Sequence, residues 1–373
     1  MAELKDYIEW RGDLRFRQSR LNEIDNVLLV FFTYLDLNDI VSDGFSDSIT
    51  FRDAANAYFE QGKKTSLGVI APTKLINETV KQMAETERFG KIELSGYIDK
   101  YDVDGEEQFA AYTARLDDGS IFISFRGTDE TLVGWKEDLN LTFVNETRAQ
   151  RSAVEYVASV TAAFDGKIRI GGHSKGGNLA VYAAAMSDPA VRERIVRVYS
   201  IDGPGFSREF LESEGYLDIK ERIVKLVPRD TVVGMIFCND ENYSVIKSRK
   251  MGLEQHIALY WEVKGKHFVR LHALPQRTVA MNNALNTWLE QTDTETKREL
   301  SEAIYHLLTA GNATTLTDFT KDKLLLLKSV AKVEPQKRDM VFRQLTKLIG
   351  ELIKSQTIFS NKPKKNEKED EEL

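Results

Sequence analysis

Hydrophobic and polar positions along the 373-residue chain fall into three textures. Residues from about 1 to 90 have helical spacing. Asp25-Asn26 reads as the cap of an apolar stretch running through Leu35, and Ser48 to Glu60 predicts a second helix. From Lys91 to Phe125 the period changes. Leu94–Asp102, Glu106–Leu116 and Ser120–Gly127 read as consecutive strands, with turn signals at Asp104-Gly105 and Asp118-Gly119. A helix over Ala149 to Phe164 follows, then a short strand at Lys167–Gly172 and a helix from Gly176 to Met186. Two more strand-like runs are Arg194–Asp202 and Glu221–Val227. Strands alternating with helices of about 10 to 15 residues predict a mainly parallel sheet covered by helices.

After Arg277 the texture shifts again. Val279–Glu290, Glu295–Leu308, Phe319–Val333 and Lys337–Ser355 all read as amphipathic helices. The tail Asn361–Leu373 is almost entirely Lys, Glu, Asp and Asn and is predicted to be disordered.

Composition narrows the class. Hydrophobic residues make up 42 % of the chain and charged residues 29 %, enough apolar material for a sizeable core. Lys and Arg total 51 against 58 Asp and Glu, a net charge of −7, so no global charge draws the chain to nucleic acid. A single cysteine, Cys238, excludes an intrachain disulfide and a cysteine-based zinc site, and is expected to be a small buried hydrophobe. The first 20 residues mix charges and lack the apolar centre of a secretory signal. The apolar run Val27–Phe32 is too short for a bilayer. The expectation is a soluble, cytoplasmic protein with no integral membrane association.

The chemistry concentrates at Ile170-Gly-Gly-His-Ser-Lys-Gly-Gly-Asn178, which contains Gly172-x-Ser174-x-Gly176. The bare pattern arises by chance in roughly one chain in eight of this length, so its setting must carry the weight. Here it follows a strand and opens a helix of small residues. A serine hydroxyl is a useful nucleophile when a sharp strand-to-helix turn exposes it to substrate and base. Glycines two residues to either side let strand and helix pass without Cβ clashes, and the helix N-terminus favours a developing oxyanion. A purely structural turn or a phosphate loop are the competing readings. The spacing matches neither Gly-x-Gly-x-x-Gly nor a loop ending Gly-Lys-Ser/Thr.

Two oxyanion donors are expected: the N–H of Lys175, after the nucleophile, and one from a loop after an earlier strand. Phe125-Arg-Gly-Thr128 suits that loop, because Gly127 permits a tight bend and Thr128 supplies an N–H and a hydroxyl. In this fold the acid and then the histidine follow the serine along the chain. The base comes from His256, His267, His272 or His306. His256 fits best, where an irregular polar stretch meets an apolar run. For the acid, Asp230 after the strand ending at Val227 ranks ahead of Asp202, one strand earlier.

Taken together, Phe125-Arg-Gly-Thr128, Trp135 with Asp138, Gly172-His-Ser-Lys-Gly-Gly177, Asp230, and His256 followed by Trp261 resemble the class 3 lipase pattern. More closely, Tyr7-Ile-Glu-Trp-Arg-Gly12, Gly134-Trp-Lys-Glu-Asp138 and Asp202-Gly-Pro-Gly205 resemble an uncharacterised bacterial branch of lipase-like α/β hydrolases. The resemblance covers about residues 5 to 290. It implies an α/β-hydrolase fold with Ser174 as nucleophile, His256 as base, Asp230 as acid, and Thr128 with Lys175 as oxyanion donors. Lys175 stands where secreted lipases usually carry Leu, which predicts a charge at the mouth of the site. The expected organisation is a hydrolase domain over residues 1–290, a helical extension over 291–360 and a charged tail over 361–373. The expected activity is cleavage of a carboxylic ester or thioester in a small acylated substrate, with no metal or organic cofactor. A catalytically inactive binding protein and an acyltransferase using the same triad are the alternatives.

Overall fold

The computed structural model describes residues 2–65, 73–240, 242–309, 313–315, 318 and 335–360. Helices α1 (Leu4–Arg11) and α2 (Glu23–Phe32) open the chain, followed by strand β1 (Ile49–Thr50), α3 (Phe51–Glu60) and α4 (Thr73–Ala84). Strands β2 (Glu93–Asp102), β3 (Glu107–Arg115) and β4 (Ile121–Phe125) lead to α5 (Leu132–Asn140) and α6 (Arg148–Ala163). The middle of the chain runs β5 (Ile168–His173), α7 (Lys175–Met186), α8 (Pro189–Arg194), β6 (Ile195–Ile201), α9 (Arg208–Leu211), α10 (Glu214–Ile219), β7 (Ile223–Pro228) and β8 (Tyr243–Ile246). Short strands β9 (Val263–Lys264), β10 (His267–Phe268) and β11 (Arg270–Leu271) precede α11 (Gln276–Gln291), α12 (Thr294–Thr309) and α13 (Pro335–Ser360).

Among the described residues nine strands form one sheet, in the order β1-β2-β3-β4-β5-β6-β7-β8-β11. The five central strands β4 to β8 are parallel, and both flanks are antiparallel. Parallel neighbours need crossovers, and α6, α7, α8 and α10 supply them, so the central strands are covered and read as continuous apolar runs. Apolar side chains from β4, β5 and β6 pack against α6 and α7 on one face. The other face holds a larger core built on α2 and the segments around it.

Helix α2 shows why the first texture reads as helical. Its sequence, EIDNVLLVFF, is apolar nearly all round, and every residue is buried. Its cap differs from the expected Asp25-Asn26. Asn22 sits at the N-cap, accepting from the amides of Ile24 and Asp25, and the Asp25 carboxylate reaches back to the Asn22 N–H at 2.9 Å. Asp25 is instead inside the helix, paired with the equally buried Arg88. The second predicted helix, Ser48 to Glu60, begins later: Ile49–Thr50 pair with β2, and Thr50 caps α3 through the Asp53 amide.

The predicted helices after Arg277 correspond to α11, α12 and α13, each a little longer than its apolar pattern. The predicted helix Phe319–Val333 and the charged tail Asn361–Leu373 lie outside the described residues. Cys238 is half-buried rather than enclosed, because its backbone pairs with Phe206 at the margin of the sheet. Among the described residues, no helix is long and apolar enough to cross a membrane.

Candidate functional site

The site grows out of the turn between β5 and α7. Ser174 has φ 58° and ψ −130°, outside every region that ordinary L-residues favour. Its amide donates to the Ile201 carbonyl on β6 at 2.9 Å, and its carbonyl accepts from the Gly177 amide at 2.8 Å. The turn is therefore pinned from both sides. A Cβ at Gly172 would fall 2.0 Å from the Gly176 carbonyl oxygen, so the first glycine of the motif is required by the close pass of strand and helix. Among the described residues, none hydrogen-bonds the Ser174 hydroxyl, which sits partly exposed above the strand ends.

His256 lies in a single 3₁₀ turn, Gly252–His256. Its Nδ1 meets Asp202 Oδ2 at 2.7 Å, and its ring centroid is 4.5 Å from that of His173, the residue before Ser174. Asp202 is 1 % exposed and sits one residue past the end of β6 with φ 47°. Its other oxygen accepts from the Thr231 hydroxyl at 2.6 Å. This arrangement fixes the proton on His256 Nδ1 and leaves Nε2 as the basic nitrogen.

The expected partner of His256, Asp230, is placed elsewhere. Its carboxylate accepts from Gln255 Nε2 at 2.5 Å and from Arg277 at 2.9 Å. The reason is local. β7 ends in a turn closed by the Thr231 amide on the Pro228 carbonyl, which carries Asp230 past the strand end toward the start of α11. Asp202 leaves β6 directly into the left-handed region and stays beside the Ser174 turn. Asp230 still holds the loop that carries His256, since its amide also donates to Gln255 Oε1 at 3.3 Å, and the Gln255 carbonyl in turn accepts from the Trp261 indole at 2.8 Å.

The loop after β4 also lies against Ser174. A Cβ at Gly127 would come 3.1 Å from Ser174 Cβ and 2.4 Å from the His173 carbonyl oxygen. The loop is held by Arg126, almost fully buried and paired with Asp99 at 2.6 Å and Asp129 at 3.2 Å. Thr128 donates its hydroxyl to Asp138 Oδ2 on α5 at 2.6 Å. Burial pushes the Asp138 carboxyl up to about 6, against the opposing pull of the Lys175 ammonium and the Thr128 hydroxyl.

Lys175 does not place its charge at the mouth of the site. Its side chain is 1 % exposed and turns inward to Glu137 Oε2 at 2.7 Å, with further bonds to the carbonyl and side-chain oxygens of Gln108. Only its main-chain N–H, the first of α7, faces the turn, as the first amides of a helix do.

Sequence reasoning missed one network altogether. The Gly127 amide donates to the Tyr34 phenol oxygen. The Tyr34 hydroxyl meets His173 Nδ1 at 2.9 Å, and His173 Nε2 meets the His256 carbonyl at 2.7 Å. A carbonyl can only accept, so Nε2 carries the proton and Nδ1 accepts from Tyr34. Burial, with His256 adding to it, holds the His173 imidazole well below its ordinary range, in this neutral form. The network ties the Thr128 loop, the Ser174 turn and the His256 loop together. The Tyr34 signal is invisible in pattern, since it lies 139 residues from its partner.

The remaining histidines are surface groups. His267 is 54 % exposed beside Glu23, His306 lies on α12 beside Glu302, and His272 is exposed. Among the described residues, no group of three or more His, Cys, Asp or Glu side chains is arranged to hold a metal ion.

A mainly parallel sheet, a strained serine at the strand-to-helix turn and a histidine on a later loop define an α/β-hydrolase fold. The chain belongs to the Mbeg1-like family, whose model matches residues 83–306. Among solved structures it is similar to M37 lipase, with 13 % identity and a TM-score of 0.33 over 46 % of this chain and 66 % of that one. It is also similar to the Rhizomucor miehei lipase propeptide complex, with 18 % identity and a TM-score of 0.31 over 43 % of this chain and 57 % of that one. The matches thus span less than two thirds of either lipase chain. No curated protein matches this chain.

Proposed function

We propose that this protein is a serine hydrolase that cleaves a carboxylic ester or thioester through an acyl-enzyme on Ser174. The observation that carries the reading is Ser174 at φ 58° and ψ −130°, on a turn next to a His256–Asp202 pair 2.7 Å apart. Backbone strain of this kind persists where the surroundings enforce it, and it clusters at reactive centres. In the proposed reaction His256 Nε2 takes the Ser174 proton as Oγ attacks the acyl carbonyl. Asp202 stabilises the imidazolium that forms. The oxyanion rests on the main-chain N–H groups of Thr128 and Lys175. His256 then protonates the departing alcohol or thiol, and a water molecule, deprotonated by the same nitrogen, releases the acid and restores Ser174.

The test is covalent labelling by a fluorophosphonate. The expected result is one adduct on Ser174. Asp202→Asn should slow labelling by about 10³- to 10⁴-fold, whereas Asp230→Asn should stay within about threefold, as its carboxylate meets Gln255 and Arg277 instead. A folded wild-type chain that leaves Ser174 unlabelled sinks the enzyme reading. Equal slowing by both aspartate variants sinks the assignment of the acid.

A further inference from the structure

A cavity of about 30 Å³ lies between the sheet and the helices α7, α9 and α10, and none of Ser174, His256 and Asp202 lines it. Val181, Phe206, Leu211 and Tyr216 give it apolar walls, while Ser200 of β6 and Lys225 of β7 line it from the sheet. These two residues are direct partners in the parallel pairing of their strands. Their side chains therefore stand on one face of the sheet, on strands about 4.8 Å apart. Ser200 is 3 % exposed, and among the described residues nothing hydrogen-bonds its hydroxyl. Lys225 keeps unusual company for a cation. Its Nζ donates to the Gly203 carbonyl at 2.9 Å and to Asn239 Oδ1, both neutral, and among the described residues it forms no ion pair. The carboxylates nearby are engaged elsewhere: Asp202 with His256 and Thr231, and Asp240 with Lys220 at 2.8 Å. Burial accordingly pushes the Lys225 ammonium down to about 7, with only the Asp202 charge pulling the other way.

We propose that this cavity binds a small carboxylate of about acetate size, held between the Lys225 ammonium and the Ser200 hydroxyl. An ammonium has three donors, of which Gly203 and Asn239 take two. The third, with the unpartnered Ser200 hydroxyl, offers one donor to each oxygen of a carboxylate. The anion also supplies the counter-charge that Lys225 lacks, and an unpaired charge away from bulk water is costly to the protein. Size sets the guest. The cavity has room for about two or three water molecules, enough for a carboxylate with its methyl group turned to the apolar walls. A neutral amide of the same shape would leave the ammonium unpaired. The binding does not depend on Ser174 being reactive.

Line broadening of isotope-labelled acetate in the NMR spectrum of the full chain tests this at constant ionic strength. The broadening should saturate as acetate is added. Unlabelled formate should reverse it, and neither acetamide nor chloride should. Ser200→Ala should weaken binding by about tenfold, the worth of a hydrogen bond to a charged group, and Lys225→Met by more. Ser200→Ala keeps the ammonium in place and so serves as the test if Lys225→Met does not fold. Affinity should fall by about tenfold for each pH unit above 7, as Lys225 loses the proton that the anion requires. Tyr216, Cys238 and the Lys220–Asp240 pair are the other titratable groups around the cavity. Cys238→Ala should leave the pH profile unchanged. Equal competition by acetamide or chloride, unchanged affinity in the folded variants, a flat pH profile, or no saturable binding of acetate would each overturn the proposal.

Discussion

Asp138 shows how a single side chain can serve a site at the expense of the fold. Its carboxylate takes the Thr128 hydroxyl at 2.6 Å and so orients the loop that faces Ser174. Burial raises it from the ordinary 3.8 to about 6. Between those two values the folded chain holds a proton that the unfolded chain has released. Stability therefore falls as pH rises through that window, and the full penalty is present above it. The shift corresponds to about 3 kcal/mol at most, and to less where water reaches this partly buried group. Asp138→Asn should thus raise Tm at pH 8, and the gain should shrink to nothing as pH is lowered through 6 toward 4. Thermal melts of both proteins across pH 4 to 8 decide the matter, and a difference that stays flat over that range contradicts it. Nothing in the sequence marks this effect. Gly-Trp-Lys-Glu-Asp138 is a recognisable string, but the burial of its last residue comes from α5 folding back on the Thr128 loop.

At the scale of elements, legibility depended on whether a residue's role is local. The turn between β5 and α7 was readable because both glycines and the serine act within five residues of one another. The three strands β2 to β4 were readable for the same reason, being joined by short turns. The acid was not. Asp202 and Asp230 both stand just past strand ends, and the choice between them rests on the direction the chain takes there. Lys175 is a similar case. Its position in the string suggested a charge at the mouth, but the helix start points it into the protein, where Glu137 on α5 waits at 2.7 Å. Glu137 also accepts from the Gln108 and Ala149 amides, so one buried carboxylate joins β3, α5, α6 and α7. Removing one member of such a buried pair strands the other and costs about 3–5 kcal/mol. Lys175→Met should lower Tm by on the order of 10 °C, and adding Glu137→Gln should restore part of the loss. Fluorophosphonate labelling of the folded variant should stay within about threefold of wild type, because the proposed oxyanion donor is the main-chain N–H. An unchanged Tm would show that the pair contributes nothing to the fold.

Over the whole molecule, the helices after Arg277 are fastened to the end of the sheet beside Ser174 by polar contacts as well as by apolar packing, such as that of Val279 on the Val227, Val245 and Leu274 cluster. Lys136 on α5 is the central polar contact. It is 8 % exposed, bridges Glu106 at 2.7 Å and Glu302 on α12 at 2.9 Å, and lies 4.6 Å from the Tyr305 ring. Burial opposes its charge, but the two carboxylates outweigh burial and hold the ammonium above its ordinary value. The amphipathic pattern predicted α12 correctly as a helix, yet it could not say what α12 docks against, since Lys136 and Glu302 are far apart in sequence and each looks like a solvated charge. If this bridge is what seats α12, Lys136→Met should free that helix selectively. Losing one partner of a partly buried network shifts local opening by about a factor of ten or more. Amide hydrogen exchange over Thr294–Thr309 should rise by about that factor, while exchange in β5 and α7 remains at its wild-type rate. Equal acceleration in both regions would mean that Lys136 supports the global fold instead, and no acceleration in α12 would mean that the apolar contacts of α11 and α13 hold it alone.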